Sequence, residues 1–298
     1  MVMQKYLDKA EALIEMLPYI QRLRKKMIVV KYGGSAMMDE ELKKNIIKDV
    51  VLLKLVGVKL IIVHGGGKEI SRWVHKVDME SQFINGLRVT DQDTIEVVEM
   101  VLNKINKELV TLVQSLGVKA VGISGKDGGL LQVGKKLSGG KDIGYVGEIR
   151  KVDPKILYNL LEKDFLPIVC PIGIDDAFCS YNINADDTAS AIAKSVSAEQ
   201  LVFVTDTKGV FYDKDDPSSI IPKLHIKEAA SLIDNGNVNG GMIPKLQNCI
   251  DAINHGVSRV HILDGMIPHC LLLEIFMNKG IGTAILMDDE EKVYNGND

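Results

Sequence analysis

The chain has 298 residues, of which 46% are hydrophobic but only 5% aromatic. This length fits one large domain or two fused lobes, and an aliphatic core is typical of a parallel sheet covered by helices on both faces. A net charge of -4 provides no basic surface for nucleic acid or an anionic membrane. No apolar run has the length of a membrane span and the N-terminus lacks a signal sequence, so we expect a cytoplasmic protein.

The cysteines are scattered along the chain. Cys170, Cys179, Cys249 and Cys270 form no CxxC pair and no Cys/His cluster. We therefore expect reduced, mostly buried thiols and no metal site built from protein ligands.

An amphipathic helix precedes the predicted core. Its apolar positions follow a helical repeat and are Met3, Leu7, Ala10, Ile14 and Leu17. The helix should end near Pro18. Because the first core strand begins only at Met27, this segment of residues 1–26 either packs on its own subunit or joins subunits.

Short apolar runs predict the core strands. They are Met27–Lys31, Lys59–His64, Lys119–Ser124, Leu166–Ile172, Leu201–Thr205, Val260–Leu263 and Thr283–Leu286. Helical patterns lie between them, for example one capped by Asp39 and ended by Gly57, and one from Asp91 to Leu116. The predicted fold class is therefore α/β, with an open, mainly parallel, twisted sheet and helices on both faces.

Two features predict β-hairpins that decorate this sheet. Asn85-Gly86 is a strong hairpin turn signal, and residues 127–151 are rich in glycine and lysine with short extended pieces. A boundary between two lobes is expected just after the strand that ends at Ile172. We place the first lobe at residues 27–176 and the second at residues 177–298.

Two predicted strands end in glycine-rich loops. Lys31 is followed by Gly33-Gly34, and Gly65-Gly66-Gly67 follows His64 and opens a helix. Glycines let the backbone approach a ligand, and free N–H groups at a helix start attract anions. Because ligands of open α/β sheets bind beyond the carboxyl ends of strands, these loops form a candidate phosphate site. The chain contains neither GxGxxG nor GxxxxGK[ST], and we assign His64 a structural role.

Further polar segments lie at turns and helix starts. Lys245 falls in the first turn of a helix, a poor place for a cation unless an anion binds there. Arg88 lies on the predicted hairpin and could pair with a carboxylate. Asp186 or Asp187 could cap an alanine-rich helix. Thr205–Val210 could cradle a nucleotide or form an ordinary turn.

Taken together and in this order, these segments resemble the amino acid kinase superfamily. The resembling stretches are Lys31–Ser35, His64–Gly67, Asn85–Thr90, Ser124–Gly129, Asn182–Asp186, Thr205–Val210 and Gly241–Lys245. They extend over almost the whole chain after the N-terminal helix, and their joint order and spacing are specific although each motif is modest alone. The similarity is greatest to the members that act on N-acetyl-L-glutamate in arginine synthesis.

The resemblance implies transfer of the ATP γ-phosphoryl group to the side-chain carboxylate of N-acetyl-L-glutamate, which gives an acyl phosphate. A carboxylate is already deprotonated at pH 7, so positioning and charge neutralisation suffice. By the same resemblance Lys31 and Lys245 are catalytic, Asp186 orients both lysines, and Mg²⁺ is held mainly by ATP oxygens. Because the family's acid aligns with Asp186, we interpret Asp187 as the helix cap.

The resemblance also implies two sets of binding residues. Those for the acceptor are Gly34, Gly66, Gly67, Arg88 and Asn182. Those for ATP are Asp206, Thr207, Lys208, Gly209, Val210, Phe211, Asn237, Val238 and Asn239.

A further similarity is to arginine-inhibited, hexameric members of the superfamily, whose N-terminal helices interlace to join dimers. It implies that residues 1–26 form the oligomerisation helix of a hexamer built as a trimer of dimers. It also places Tyr19, Glu274 and Gly282 near an arginine pocket. Met266 departs from the pattern, since these relatives usually carry arginine there. A PII-type signalling protein is a further candidate partner.

Two alternatives stay open at this point. A sister kinase that acts on glutamate, aspartate, carbamate or UMP would share the fold and the lysines, although Arg88 and Asn182 favour N-acetylglutamate. A non-catalytic, arginine-binding regulatory protein would have no need for both lysines and Asp186.

Overall fold

The fold is described from a computed structural model that covers residues 2–213, 216–277 and 280–288. The helices are α1 Val2–Glu15, α2 Leu17–Leu23, α3 Glu40–Leu55, α4 Gly67–Lys76, α5 Gln92–Ser115, α6 Lys155–Glu162, α7 Ala185–Ser195, α8 Ile226–Asp234, α9 Met242–Asn254 and α10 Cys270–Phe276. The strands are β1 Met27–Tyr32, β2 Lys59–His64, β3 Phe83–Ile84, β4 Leu87–Arg88, β5 Ala120–Ser124, β6 Leu131–Ser138, β7 Lys141–Val152, β8 Leu166–Cys170, β9 Ile172–Ile174, β10 Ser180–Asn182, β11 Gln200–Thr205, β12 Lys223–His225, β13 Arg259–Asp264 and β14 Thr283–Leu286.

An eight-stranded sheet forms the centre of the molecule, in the order β12-β14-β13-β11-β1-β2-β8-β5. Every neighbouring pair is parallel except β13 and β14. The predicted α/β class with an open, mainly parallel sheet is therefore confirmed. Because β11, β1 and β2 are adjacent and parallel, the loops that follow them meet at one edge.

The core consists of two apolar layers, one on each face of the sheet. Successive residues of β1 alternate between them, so that Ile28 and Val30 face one layer and Val29 faces the other. Helices cover both layers, which is why these strands are apolar throughout instead of alternating.

Two helices start at aspartates, of which Asp39 was the predicted cap and Asp91 the predicted helix start. The Asp39 carboxylate accepts hydrogen bonds from the backbone N–H groups of Glu41 and Leu42, and Asp91 accepts one from Thr94. Each cap satisfies N–H groups that have no partner within the helix, and so defines where α3 and α5 begin.

One predicted strand is wrong in its extent. The run Leu166–Ile172 was expected as a single strand, but it divides at Pro171 into β8 and β9. Proline has no backbone N–H for a ladder hydrogen bond, so the central strand ends there. The chain then enters a second, closed sheet in the order β10-β7-β6-β9.

The predicted hairpins are present. Asn85 and Gly86 both have positive φ, as a tight hairpin turn requires, and they join β3 to β4. Strands β6 and β7 form a longer antiparallel hairpin within the predicted segment 127–151.

The expected lobe boundary after residue 176 falls in the turn between β9 and β10, which pair with each other. The eight-stranded sheet itself continues through both expected lobes. The division between residues 176 and 177 stays a prediction. Residues 1, 214–215, 278–279 and 289–298 of the expected segments lie outside the described residues.

The N-terminal segment differs from the single helix expected to end near Pro18. Helix α1 ends at Glu15, and Pro18 lies in the first turn of α2, which continues to the buried Leu23. Proline fits a first helical turn because its missing N–H would have no partner there. The apolar stripe of α1 stays exposed in the single chain, with Met3 70% and Ile14 69% accessible.

Candidate active site

The loop after β1 is tied to the loop after β11. Gly34 has φ of 80°, and a side chain at this position would overlap the Asp206 carboxylate. The next residue, Ser35, donates its backbone N–H to Asp206 Oδ1 at 2.5 Å. Only glycine combines this backbone conformation with so close an approach. The contact holds the Gly33-Gly34 turn against the end of β11.

The loop after β2 opens helix α4. Gly66 precedes the helix and Gly67 is its first residue. A side chain on Gly66 would overlap the ends of the Leu102 and Ile105 side chains of α5, which would have to shift to make room. The first N–H groups of a helix have no partner within it, and they are therefore available to an anion.

Three charged side chains meet between these loops. Lys31 ends β1, Asp186 lies in the first turn of α7 and Lys245 lies in the first turn of α9. The Lys31 ammonium is 3.0 Å from Asp186 Oδ1, and the Lys245 ammonium donates to Asp186 Oδ2. Both lysines are largely buried, with side chains 11% and 10% accessible. One carboxylate therefore contacts two ammonium groups, so the cluster carries a net charge of about +1.

The protonation state of Asp186 follows from these contacts. Burial raises the pKa of its carboxyl, but the Lys31 and Lys245 ammonium groups lower this pKa by a larger amount, so that it falls to about 2. Asp186 is therefore ionised at neutral pH. The aromatic ring of Phe203 lies 5.0 Å from the Lys245 ammonium, a cation–π contact that adds support to the lysine.

A cavity of about 270 Å³ lies beside this cluster. Its lining includes all of the following predicted residues: Lys31, Gly34, Gly66, Gly67, Arg88, Asn182 and Asp186. The structure thus brings together every acceptor-binding residue expected from the sequence.

Arg88 reaches the cavity from the β3–β4 hairpin. Its guanidinium is buried and donates to the Gly67 carbonyl oxygen and to the Oγ atoms of Ser71 and Ser81. Among the described residues no carboxylate pairs with it. A buried cation without an acidic partner is expected to bind an anion. Ser71 and Ser81 went unrecognised in the sequence, because they belong to no motif.

Asn182 enters the cavity from β10, and its side-chain amide donates to Thr90 Oγ1 at 3.4 Å. The helix that follows is capped by Asn184, whose side chain accepts the N–H groups of Asp186 and Asp187. The interpretation of Asp187 as the cap is therefore wrong. Its carboxylate instead accepts hydrogen bonds from Lys136 at 3.0 Å and Asn248 at 2.9 Å.

His64 lies behind the glycine loop. It is fully buried, with Nδ1 2.8 Å from the Gly65 carbonyl oxygen and Nε2 3.2 Å from Asn106. Burial lowers the pKa of its imidazole to about 4, so the ring is neutral at pH 7. These contacts fit the structural role expected for it.

The segments predicted to bind ATP lie beyond β11 and before α9. Thr207, Lys208, Asn237 and Asn239 are exposed. Val210 and Val238 are buried in the core, so a nucleotide could meet only their backbone. Gly209 is packed against Thr283, and Phe211 pairs with Ile220 in an isolated bridge. The assignment of these residues to ATP stays a prediction.

The residues expected near an arginine pocket also lie close together. Tyr19 of α2 packs edge-on against Phe276 of α10, with ring centroids 6.3 Å apart. Glu274 is buried and accepts hydrogen bonds from the backbone N–H groups of Ile281 and Gly282. These contacts are internal to the protein, and arginine binding here stays a prediction.

No helix among residues 2–213, 216–277 and 280–288 is long and apolar enough to cross a membrane. Over the same ranges, no group of three or more His, Cys, Asp or Glu side chains could hold a metal ion.

Comparison with known proteins identifies similar sequences and folds. The model of the amino acid kinase family matches residues 26–264. The acetylglutamate kinase of Campylobacter jejuni is 56% identical over 283 residues, which cover 95% of this chain and 100% of that protein. The acetylglutamate kinase of Caldicellulosiruptor saccharolyticus is 52% identical over 288 residues, covering 95% and 98%.

Solved structures show the same fold. The N-acetylglutamate synthase of Neisseria gonorrhoeae, complexed with coenzyme A and N-acetyl-glutamate, has a TM-score of 0.84 and is 26% identical, covering 94% of this chain. This chain spans only 63% of the synthase. The carbamate kinase of Giardia lamblia bound to AMP-PNP has a TM-score of 0.65 at 14% identity, which shows likeness of fold alone.

Proposed function

The chain belongs to the amino acid kinase family, among its acetylglutamate kinases, and on that basis we propose that it transfers the γ-phosphoryl group of ATP to the side-chain carboxylate of N-acetyl-L-glutamate. One observation carries the proposal. A single cavity is lined both by the Lys31–Asp186 pair and by Arg88, a buried arginine without a carboxylate partner among the described residues. Lys245 also contacts Asp186, so the cluster of two lysines and one carboxylate carries a net positive charge beside the cavity, and Arg88 adds a second one. The site can therefore attract both a phosphoryl group and a carboxylate.

The chemistry needs no general base. The acceptor carboxylate is ionised at neutral pH, so it can attack the γ-phosphorus directly while ADP leaves. Negative charge on the transferred group would be balanced by Lys31 and Lys245, which Asp186 holds in place. The free N–H groups at Gly66 and Gly67 would stabilise the same charge. Positioning and electrostatics thus account for the rate enhancement.

Acceptor recognition would fall to the other cavity residues. Arg88 would bind the α-carboxylate, leaving the side-chain carboxylate free to react. Asn182 supplies amide groups that would hold the N-acetyl-glutamate backbone. Such an arrangement favours a dicarboxylate over carbamate or UMP, because one anionic group must be held while a second one reacts.

ATP would bind along Asp206–Phe211 and Asn237–Asn239, with Mg²⁺ held mainly by its phosphate oxygens. The protein groups fit this division of roles, since the buried Asp186 carboxylate is already engaged by two lysines. Bound Mg²⁺ would neutralise phosphate charge and help align the γ-phosphoryl group.

Hydroxylamine trapping of the acyl phosphate tests this function. Purified protein is incubated with Mg-ATP and, separately, with N-acetylglutamate, glutamate, aspartate or carbamate. We expect hydroxamate with N-acetylglutamate at a rate far above the others. Reaction with glutamate or aspartate but not with N-acetylglutamate would disprove the acceptor assignment.

Regulation by arginine is part of the proposal. We propose a hexamer whose N-terminal helices interlace and whose subunits bind arginine near Tyr19, Glu274 and Gly282. The exposed apolar stripe of α1 supports the assembly part, and the arginine part rests on the family resemblance. Adding arginine to the same assay tests this part, with inhibition as the expected result. A PII-type partner and a cytoplasmic location stay predictions.

A further inference from the structure

Arg88 is held by neutral groups only. Its Nη1 donates to Ser81 Oγ at 2.6 Å, and its Nη2 donates to Ser71 Oγ at 2.7 Å and to the Gly67 carbonyl oxygen at 2.9 Å. The ring of Phe83 covers the guanidinium at 4.7 Å. Among the described residues neither an Asp nor a Glu pairs with this buried side chain. Arg88 is thus fixed in place without losing its charge.

The choice of hydroxyl partners has an electrostatic consequence. A carboxylate would orient the guanidinium equally well, but it would also neutralise the charge that a ligand needs. A serine hydroxyl accepts a hydrogen bond and carries no net charge. The full attraction therefore remains for an anion in the cavity. Burial makes that attraction stronger than it would be in water.

Arg88 keeps N–H donors that a ligand in the cavity could use. A guanidinium carries five N–H donors, and three of them are used by the two serines and Gly67. Neither serine lines the cavity, whereas Arg88 and Gly67 both do. The serines thus support Arg88 from outside the cavity, and two N–H donors stay available.

Ser71 and Ser81 come from separate elements. Ser71 lies on α4, the helix opened by the glycine loop, and Ser81 lies in the connection from α4 to β3. The Ser71 hydrogen bond joins the Arg88 hairpin to α4, whose first N–H groups would bind the reacting phosphoryl group, and the Ser81 hydrogen bond joins it to the connection that follows α4. The distance between the bound carboxylate and the reacting carboxylate would then be set by these contacts.

We infer that Ser71 and Ser81 are positioning residues, which orient Arg88 toward the α-carboxylate of the acceptor while leaving its charge uncompensated. The inference rests on the proposed function for the identity of the acceptor. The two serines would affect acceptor binding through Arg88. They would contact neither ATP nor the reacting atoms.

The test compares steady-state kinetics of Ser71→Ala, Ser81→Ala and the double variant. Each loses a hydrogen bond to a charged group, so we expect KM for N-acetylglutamate to rise about tenfold per serine. We expect kcat to change less than about threefold and KM for ATP to stay constant, since the lysine cluster is untouched. Ser71→Thr keeps a hydroxyl and should restore most of the affinity.

Two controls separate this role from a structural one. Ser231→Ala removes a helix serine whose side chain donates to the Lys227 carbonyl oxygen, and it should leave both KM values unchanged. In an Arg88→Ala background, removing both serines should not lower kcat/KM for N-acetylglutamate further, because they act through the arginine.

The outcomes distinguish the two proposals. If the wild-type protein does not phosphorylate N-acetylglutamate, the proposed function fails. If it does, but the double serine variant keeps the wild-type KM for N-acetylglutamate, only the present inference fails. An additional loss in the Arg88→Ala background would also overturn it.

Discussion

The environment of Lys245 explains why a lysine is stable at this helix start. Its position in the first turn of α9 is unfavourable for a cation by the helix dipole alone. Contact with Asp186 offsets that cost and leaves the ammonium buried at the site. Lys31 reaches the same carboxylate from a strand, so the two lysines approach one point from different elements.

Replacement of this lysine provides the first prediction. Lys245→Ala should lower kcat by about 10²-fold or more, because one group that stabilises the transition state is lost. Hydroxamate formation at saturating ATP and N-acetylglutamate measures the change. Lys119→Ala, at an exposed position, is the control and should keep wild-type turnover. Normal turnover in the Lys245 variant would remove this residue from the mechanism.

Asp186 yields a prediction about acid stability. The pKa of its carboxyl is lowered in the folded protein, so the carboxylate stabilises the fold above the unfolded value of 3.8, and this contribution is lost as the pH falls toward about 2. The shift corresponds to roughly 2 kcal/mol.

Urea unfolding of wild type and Asp186→Asn between pH 2 and pH 6 tests this. We expect the variant to be less stable at pH 6, where it leaves two buried lysines without a countercharge. The difference in free energy of unfolding should shrink as the pH falls from 4 to 2. A difference that is constant across this range would contradict the assignment.

At the scale of elements, α7 and α9 are joined by a row of polar contacts. Asp186 meets Lys245, Asp187 accepts from Asn248 at 2.9 Å, and further along Lys194 pairs with Asp251. The row runs along both helices away from the cavity. It fixes how α9 sits against α7, and so how far Lys245 extends into the site.

Loss of one contact in this row should affect turnover without affecting acceptor binding. Asn248→Ala removes the hydrogen bond to Asp187, and we expect kcat to fall about three- to tenfold, in line with a hydrogen bond to a charged group. KM for N-acetylglutamate should stay within about twofold. Gln247→Ala, at the exposed neighbouring position, serves as the control. Equal kinetics for the two variants would show that the row does not position Lys245.

Several elements were predictable because local chemistry decides them. Asp39 and Asp91 each precede a helical pattern and do cap a helix, and Asn85-Gly86 forms the expected turn. The break at Pro171 was missed because the apolar run continues through it. The cap of α7 was misassigned because Asn184, Asp186 and Asp187 are close in sequence and each of these residue types can cap a helix, so that only the folded backbone selects Asn184.

At the scale of the whole molecule, the N-terminal segment is the part least explained by the single chain. Helix α1 leaves Met3, Leu13 and Ile14 more than half exposed. A contiguous apolar stripe of this kind is typical of a surface that packs against another subunit. The stripe supports the proposed role of residues 1–26 in assembly.

Removal of residues 1–20 should therefore yield a smaller oligomer with weaker inhibition by arginine. The deletion spares the buried Leu23 but removes Tyr19 and Ile20, which pack against the core. Turnover of N-acetylglutamate by the truncated protein is therefore measured first, to show that the catalytic fold survives. Light scattering after size exclusion measures the mass, and the hydroxylamine assay with arginine measures the inhibition.

A full-length variant tests the same role of the apolar stripe without deleting any residues. Leu7→Asp combined with Ile14→Asp places charges on the stripe and should have the same effect, whereas Asp8→Asn should have none. A truncated protein that keeps the same number of subunits as the full-length protein would disprove the assembly role.

The sequence by itself determined what depends on neighbouring residues along the chain. The apolar runs specify a buried parallel sheet, the caps specify helix starts, and the glycines after Lys31 and His64 specify loops that an anion can approach. The tertiary structure decided which distant side chains are in contact. The pairing of Asp186 with both lysines spans 155 and 59 positions of sequence, so no local pattern indicates it and only the family resemblance predicted it. The serines that hold Arg88 belong to no motif, and nothing in the sequence indicated their role. Such contacts depend on how parallel strands and their helices are ordered in space, because distance along the chain says little about distance across a sheet.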